Sequence, residues 1–318
     1  MLGWAFFYLR QILSIFVPFS YIIPGGLKRG CCVRELGTPI GLRYYVPAPS
    51  LRSVVSSYYI FHADLPQYTD VMRADLPQLR FMVRGSAVYD FLDGRRMAAP
   101  RVSLLGPTFG AYRFDAKGPL LVLGIGLQPA GWAALIREDA SIYANRIEDA
   151  EPLFGDILLR ALSVLEGVER HPDMVAVADQ LFGALMMRVP DPNFWFTSLT
   201  DKWLTSSRSP EVDTLIDHVG MSTRQVERLA KRTYGGPPKL LARKYRALKA
   251  AAELSKGTQS WLDVAGDVFS DQSHFIREFR QFVGVTPNQL VVRPPLVMRL
   301  SLERRRAIQA LPELTQIT

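Results

Sequence analysis

Two short runs of hydrogen-bonding side chains stand 49 positions apart in the C-terminal third of the chain. The first run is Thr223, Arg224 and Gln225, and the second includes Asp271, Gln272 and His274. Arg and Gln can form paired hydrogen bonds with guanine or adenine, and Ser, Thr and His can donate or accept at base edges. At the first turn of a helix, these residue types predict base contacts in a DNA major groove.

Basic residues follow each run further along the same predicted helix, at Arg228 and Lys231 and then at Arg277 and Arg280. They suit phosphate contacts, which position a protein on a duplex without reading its sequence. The alternative for either run taken alone is an ordinary surface helix with a solvated polar face.

The elements that position these residues form an internal repeat with a constant offset of 49. The matched residues are Val226, Arg228, Lys231, Gly235, Pro238 and Leu241 in the first copy, and Phe275, Arg277, Arg280, Gly284, Pro287 and Leu290 in the second. In the first copy Ser222 is a good N-cap with Gln225 as its capping-box partner, and Gly220 allows a sharp turn. In the second copy Asp271 or Ser270 is the cap. Two such copies predict two helix-turn-helix units.

A helix rich in strong helix formers, Leu241–Leu254, is predicted between the two units. Its 14 residues span about 21 Å. Such a rod can place two helices on successive major grooves, which lie about 34 Å apart. Arg243 and Arg246 on this rod either brace the units or contact the DNA backbone.

The charge of the 318-residue chain, +8 in total, is unevenly distributed. Residues 40–205 carry 16 Lys and Arg against 18 Asp and Glu, whereas residues 206–293 carry 14 against 9. A basic region attached to a near-neutral one indicates a polyanionic partner. The alternative interpretation of this charge is a basic face that contacts only solvent and has no partner.

Motifs for catalysis or metal binding are not apparent in the sequence. The only cysteines, Cys31 and Cys32, are adjacent, so a disulfide framework is not expected and a reducing cytoplasm is the default. The four histidines lack a metal-ligand spacing. The Gly-x-Gly at 124–126 has Pro129 where a dinucleotide fingerprint needs glycine. We therefore expect no metal, no cofactor and no enzymatic activity.

The N-terminal residues 1–40 are a hydrophobic extension of unknown role. Residues 2–23 are almost all apolar but are interrupted by Arg10, Gln11 and Pro18. A translated extension without a role, a membrane-associating or spanning segment, and a helix packed on the protein remain open.

The middle of the chain, residues 41–190, predicts an α+β domain with an antiparallel sheet or small barrel plus helices. The expected strands are Val54–Phe61, Leu79–Val83, Val88–Leu92, Val102–Leu105 and Leu120–Leu127, and the expected helices are Pro152–Val168 and Met174–Met187. Pro, Asn and Ser residues at 191–207 predict a linker. An all-α domain with the two helix-turn-helix units follows at 208–293, and a basic tail occupies 294–318.

Residues 208–293 resemble the AraC/XylS-type bacterial transcription regulators, whose DNA-binding domain is two helix-turn-helix units joined by a helix. The motifs are STRQVERLAKRTYGGPPKLLARKYRALKAAAEL and WLDVAGDVFSDQSHFIREFRQFVGVTP. The resemblance implies sequence-specific promoter binding, and it places base-facing positions at the two runs described above. More weakly, RYYVPAPSLRSVVSSYYIF, LLGP and GIGLQPAGWAALI are similar to the N-terminal domain of one subset.

The chain departs from this family at three positions. Ile216 stands where the family usually has alanine and Ala230 where it has an aromatic residue, which suggests a compensating volume swap. In the second unit the turn glycine before Phe269 is missing, so that Val268 occupies its place or one residue has been lost.

The sequence thus predicts a cytoplasmic transcription regulator that reads two successive major-groove segments with helices starting at Ser222 and Asp271. Double-stranded promoter DNA is the expected partner. The resemblance also allows a homodimer, a small-molecule effector of unknown identity and, for an activator, RNA polymerase. The alternatives are a membrane-tethered regulator anchored by residues 2–23, an enzyme with an appended DNA-binding module, and a module that binds an acidic protein.

Overall fold

The computed structural model of the chain describes residues 38–189, 194–257, 264, 268–269 and 271–318. The N-terminal part of these residues is built on an antiparallel sheet. Its strands are β1 (Ile40–Tyr45), β2 (Val55–Ala63), β3 (Gln67–Met72), β4 (Gln78–Phe91), β5 (Arg96–Ala98), β6 (Val102–Leu105), β7 (Tyr112–Leu127) and β8 (Ile147–Asp149). The main path of the sheet runs β1-β2-β7-β4-β6-β8, with β3 on β7 and β5 on β4.

Side chains alternate between the two faces of this sheet, as the period of an extended strand requires. Tyr58 and Ile60 of β2 point to one face, which α2 (Ile157–Glu166) and α3 (His171–Met186) cover after the short helix α1 (Glu151–Phe154). Tyr59 and Phe61 point to the other face, which is rich in aromatic residues. The sheet is therefore buried on both sides.

Strand β4 differs from the two separate strands that the sequence predicts at 79–83 and 88–92. Gly85 interrupts the apolar pattern there, but the strand continues through it, with register shifts between Met82 and Arg84 and between Arg84 and Ser86. Gly85 has φ +81°, and a Cβ there would lie 2.6 Å from the Lys117 carbonyl oxygen. Glycine thus permits a bulge within one continuous strand, at the place where the sequence indicated a break between two strands.

The C-terminal half is helical. After a short helical corner at 129–136, its helices are α4 (Trp195–Ser206), α5 (Val212–Val219), α6 (Thr223–Tyr234), α7 (Pro238–Leu254), α8 (Gln272–Val283), α9 (Pro287–Val292), α10 (Leu296–Ala307) and α11 (Glu313–Ile317). The predicted fold class, an antiparallel-sheet domain followed by a helical helix-turn-helix region, is confirmed.

The segment predicted as a linker, 191–207, contains helix α4. Its Phe196, Trp203 and Leu204 are buried in the core of the first helix-turn-helix unit together with Leu215 and Val226. Ala230 is fully buried in this core, and Ile216 packs against it, so that both members of the suggested volume swap share one core.

The segment predicted as a basic tail, 294–318, folds into α10 and α11. Met298 and Leu302 of α10 are buried in the core of the second unit. Val297 is buried against the aromatic face of the sheet, and its backbone N–H donates to Asp70 at 2.8 Å. The tail therefore packs on both the sheet and the helical half.

Three predictions fall outside the described residues. They are residues 1–37 of the N-terminal extension, which include 2–23, most of the segment 258–267 before the second turn, and the cap option at Ser270. Within the described part of the chain, no helix is long and apolar enough to cross a membrane.

Candidate nucleic-acid interface

Helices α6 and α8 are the two helices for which the sequence predicts base contacts, and they are called the reading helices after that prediction. The first of them, α6, begins at the predicted cap. Gln225 accepts hydrogen bonds at its Oε1 from the Ser222 backbone N–H at 3.1 Å and from the Ser222 hydroxyl at 2.8 Å. Gly220 ends α5 with φ +67°, the left-handed conformation that a sharp turn between two helices needs. Thr223 and Arg224 are exposed on the first turn. The end of α6 that would enter a groove is therefore capped and open to solvent.

The second reading helix, α8, begins at Asp271. Its side chain accepts a hydrogen bond from the His274 backbone N–H at 2.8 Å, which identifies Asp271 as the N-cap. Gln272 is exposed, whereas His274 is only partly exposed. The His274 ring packs edge-on against Phe269, with ring centroids 5.6 Å apart, and its Nε2 lies 3.5 Å from Glu278 Oε2.

The four residues predicted to contact phosphate, Arg228, Lys231, Arg277 and Arg280, are all exposed on the same two helices. Their apolar neighbours Val226 and Phe275 are fully buried. Each helix therefore separates a buried stripe from a basic face, which is the arrangement that a DNA-docking helix requires.

The connecting helix α7 has 17 residues and spans about 26 Å. Leu241 and Tyr245 are buried in the core of the first unit. Leu248 and Leu254 of the same helix are buried in the core of the second unit. One continuous helix thus contributes to both hydrophobic cores and joins the two reading helices.

A buried ion cluster fixes α8 against α7. The Glu278 side chain is 1% exposed and accepts from Arg246 Nη2 at 2.7 Å and from Arg243 Nε at 3.0 Å. The Arg246 guanidinium also lies 4.5 Å from the centroid of the Phe269 ring. Of the two sequence options for Arg243 and Arg246, the structure shows bracing of the second unit.

A second buried cluster lies where the sheet meets the helices. Asp75 accepts from Arg305 of α10 at 2.7 and 3.2 Å, and its backbone carbonyl accepts from Lys244 Nζ of α7 at 2.7 Å. Burial would raise the pKa of Asp75, but the charges of Arg305 and Arg73 outweigh it and lower that pKa to about 2. Burial lowers the pKa of Lys244 to about 7, against the opposing charge of Asp75.

A cavity of about 50 Å³ lies on the aromatic face of the sheet. Arg80, which is 6% exposed, donates there to Gln78 Oε1 and to the hydroxyls of Tyr89 and Tyr112 at 2.7–3.0 Å. These partners are all neutral, so the guanidinium charge is balanced by aromatic and amide dipoles. Val297 and Arg305 of α10 complete the cavity wall.

Within the ranges that the structure describes, no group of three His, Cys, Asp or Glu side chains could hold a metal ion.

Residues 215–293 match a protein family described as a helix-turn-helix domain. The matched range contains α6 and α8, two capped helices with exposed basic faces, and this arrangement is typical of DNA-binding helix-turn-helix domains. The sequence predicts helix-turn-helix units at 208–293, by resemblance to the AraC/XylS-type regulators, and the match lies within that range.

The chain is similar to several solved structures at low sequence identity. An apo ToxT variant from Vibrio cholerae is 12% identical with a TM-score of 0.43, covering 80% of this chain and 97% of that one. ToxT bound to an unsaturated fatty acid is 12% identical with a TM-score of 0.40, covering 71% and 94%. The AraC-like activator CuxR is 15% identical with a TM-score of 0.29, covering 68% and 88%. No curated protein sequence matches the chain.

The structure brings the predicted base-reading residues to the two exposed helix starts, but some of these residues also take part in capping. Thr223, Arg224 and Gln272 are exposed, whereas Gln225 and Asp271 also cap their helices. Sequence reasoning missed Glu278, which has the helical spacing of the buried residues 275, 279 and 282 but carries a side chain that is typical of a protein surface. It also missed Asp75, for which no local pattern exists.

Proposed function

We propose that the protein is a sequence-specific transcription regulator that reads two successive major-groove segments with α6 and α8. The observation that carries this proposal is the pair of capped first turns, at Ser222 and Asp271, with exposed polar residues beside a basic face. Helix starts of this kind present donors and acceptors to base edges, while the basic residues behind them reach phosphates.

Residue roles follow from exposure and chemistry. Arg224 and Gln272 are proposed as base readers, with Thr223 and His274 beside them. Gln225 and Asp271 are also proposed to read bases, in addition to capping α6 and α8. Phosphate binding is assigned to Arg228, Lys231, Arg277 and Arg280.

The test is a gel-shift series on duplexes selected from a random library by the full-length chain, with scrambled duplexes beside them. Arg224→Ala should weaken binding to the selected duplex by about 1–3 kcal/mol and relax preference at one base pair. Lys231→Ala should weaken binding to both duplexes alike. Arg188→Ala controls for charge, because Arg188 is an exposed arginine of the sheet domain, residues 38–189. Equal losses on both duplexes for Arg224→Ala would reject base reading.

Salt gives an independent measure of the phosphate contacts. With about 6–10 neutralised phosphates, affinity should fall by about 10³–10⁵ between 50 and 200 mM salt. A binding constant that does not change over this range would contradict the DNA-binding role and favour an acidic protein partner.

The remaining partners are proposed more generally. A homodimer is tested by sedimentation of the full-length chain, and RNA polymerase becomes a partner if the protein activates transcription.

The charge of Arg80 favours an anionic effector, but the cavity of about 50 Å³ is smaller than the roughly 300–1,000 Å³ of ordinary ligand pockets. An organic effector would therefore require α10 to move.

Cytoplasmic localisation is proposed, with membrane association through residues 2–23 as the alternative. Fractionation of the full-length chain and of a chain starting at Gly41 separates the two. Only a membrane anchor makes recovery in the pellet depend on residues 1–40.

A further inference from the structure

One loop of the sheet domain contacts the C-terminal ends of both reading helices. This bridge loop, residues 106–111, connects β6 to β7. Pro107 and Phe109 lie against Gly235 and Gly236 at the end of α6. At the other end of the loop, Ala111 lies against Gly284 at the end of α8.

Hydrogen bonds from the sheet domain also reach both helix ends. The Ala140 N–H donates to the Arg232 carbonyl of α6 at 3.0 Å. The Ala111 N–H donates to the Gln281 carbonyl of α8 at 2.8 Å, and the Ala74 N–H to the Phe282 carbonyl at 2.7 Å. The last carbonyls of a helix lack partners within it, so the sheet domain satisfies groups that otherwise need water.

The contacts of the sheet domain with α6 and α8 fall at matching positions of the internal repeat. Arg232 and Gln281 are 49 positions apart, as are Gly235 and Gly284, so one domain binds equivalent positions of the two units. Gly235 has φ +84° and Gly284 has φ +89°. A Cβ on Gly284 would lie 2.6 Å from Ala111 Cβ and 2.7 Å from Val71 Cγ1, and a Cβ on Gly235 would collide with Pro107. Glycine is therefore needed both for the turn and for close approach.

The middle of the loop is fixed to the connecting helix. The Lys244 ammonium lies 5.2 Å from the centroid of the Phe109 ring and donates to the Asp75 carbonyl at 2.7 Å. The Asp75 N–H in turn donates to the Thr108 hydroxyl at 2.7 Å. The loop thus contacts the end of α6, the connecting helix α7 and the end of α8.

We propose that the bridge loop is a splint that fixes the distance and orientation between the two reading helices. The sheet domain then determines which spacing of two major-groove sites the protein accepts. The inference rests on the proposed function for its meaning, but the geometry that it predicts is measurable without DNA.

The first experiment measures the splint in the free protein. Nitroxide labels at Lys231→Cys and Arg280→Cys, in a Cys31→Ser, Cys32→Ser background, report the distance between the helices by electron spin resonance. Gly284→Ala and Gly235→Ala should broaden or shift this distance. Gly94→Ala is the matched control, because Gly94 has φ +85° and open space where its Cβ would stand. Phe109→Ala removes the contact of the Phe109 ring with Gly235 and Gly236 and does not strain the backbone.

The second experiment measures spacing on duplexes selected from a random library by the full-length chain. Inserting one base pair between the two sites rotates them by about 35° relative to each other. The wild-type chain and Gly94→Ala should lose at least about tenfold in affinity, or 1.4 kcal/mol. Gly284→Ala and Phe109→Ala should lose less than about threefold on the same insertion.

The outcomes separate the splint from the proposed function. Distances in Gly284→Ala and Phe109→Ala that equal those in Gly94→Ala would overturn the splint, whatever the DNA results. Unchanged spacing discrimination in these variants would overturn it as well. A chain that selects no duplex would reject the proposed function, and the label distances would still decide whether the loop fixes the helices.

Discussion

Replacing Glu278 with glutamine should destabilise the second unit more than the same replacement of an exposed glutamate. The Glu278 side chain is 1% exposed, while its partners Arg246 and Arg243 are 16% and 39% exposed. Breaking a fully buried ion pair costs about 3–5 kcal/mol, and the partial exposure of both arginines reduces this. Since glutamine keeps one acceptor oxygen, we expect Glu278→Gln to lower the free energy of unfolding by about 2–3 kcal/mol.

The assay is urea denaturation of the full-length chain, with Glu303→Gln as the matched control. Glu303 pairs with Arg299 one turn away at 3.7 Å, and both side chains are about half exposed. That pair should contribute no more than about 0.5 kcal/mol. In a double-mutant cycle, Arg246→Met and Glu278→Gln should couple by about 1–2 kcal/mol. A loss for Glu278→Gln no larger than for Glu303→Gln would refute the buried-pair reasoning.

Two further predictions concern pH. Burial raises the pKa of Asp201 to about 7, against the hydrogen bond from Tyr234, so the folded state holds an extra proton between about pH 4 and 7. Wild-type stability should therefore fall relative to Asp201→Asn as pH rises through that window, and parallel curves would contradict this. The pKa of Lys244 is lowered to about 7, so the unfolded state binds the extra proton between about pH 7 and 10. Wild-type stability should rise relative to Lys244→Met over that window in urea titrations at each pH, and a fall would contradict the buried lysine.

The two reading helices were predictable because their signals are local. Ser222 with Gln225, and Asp271 at the start of α8, are caps that act within one turn. The buried stripe of each helix follows the helical period, so exposure of the polar residues could be read directly. Strands such as Val102–Leu105 were predicted with the observed bounds for the same reason.

Elements whose signals depend on tertiary contacts were missed. Strand β1 carries Gly41 and Arg43 within its pattern and is defined by pairing with β2. Helix α4 follows Pro and Asn residues that indicated a linker, yet Trp203 and Leu204 are buried by contacts with α5 and α6 residues distant in sequence. Glu278 reads as a surface carboxylate until Arg243 and Arg246 are brought opposite it. Local propensity does not contain such partners.

The burial of residues on both sides of 208–293 has a practical consequence for preparing recombinant fragments. A polypeptide limited to that range lacks Trp203 and Leu204 on one side and Met298 and Leu302 on the other, all of which are at most 6% exposed. At about 1.5–3 kcal/mol for each of the four lost side chains, the deficit is about 6–12 kcal/mol, which is as large as the roughly 5–15 kcal/mol that keeps an ordinary domain folded. Expression boundaries that begin before Phe194 and retain Thr318 keep this apolar surface covered.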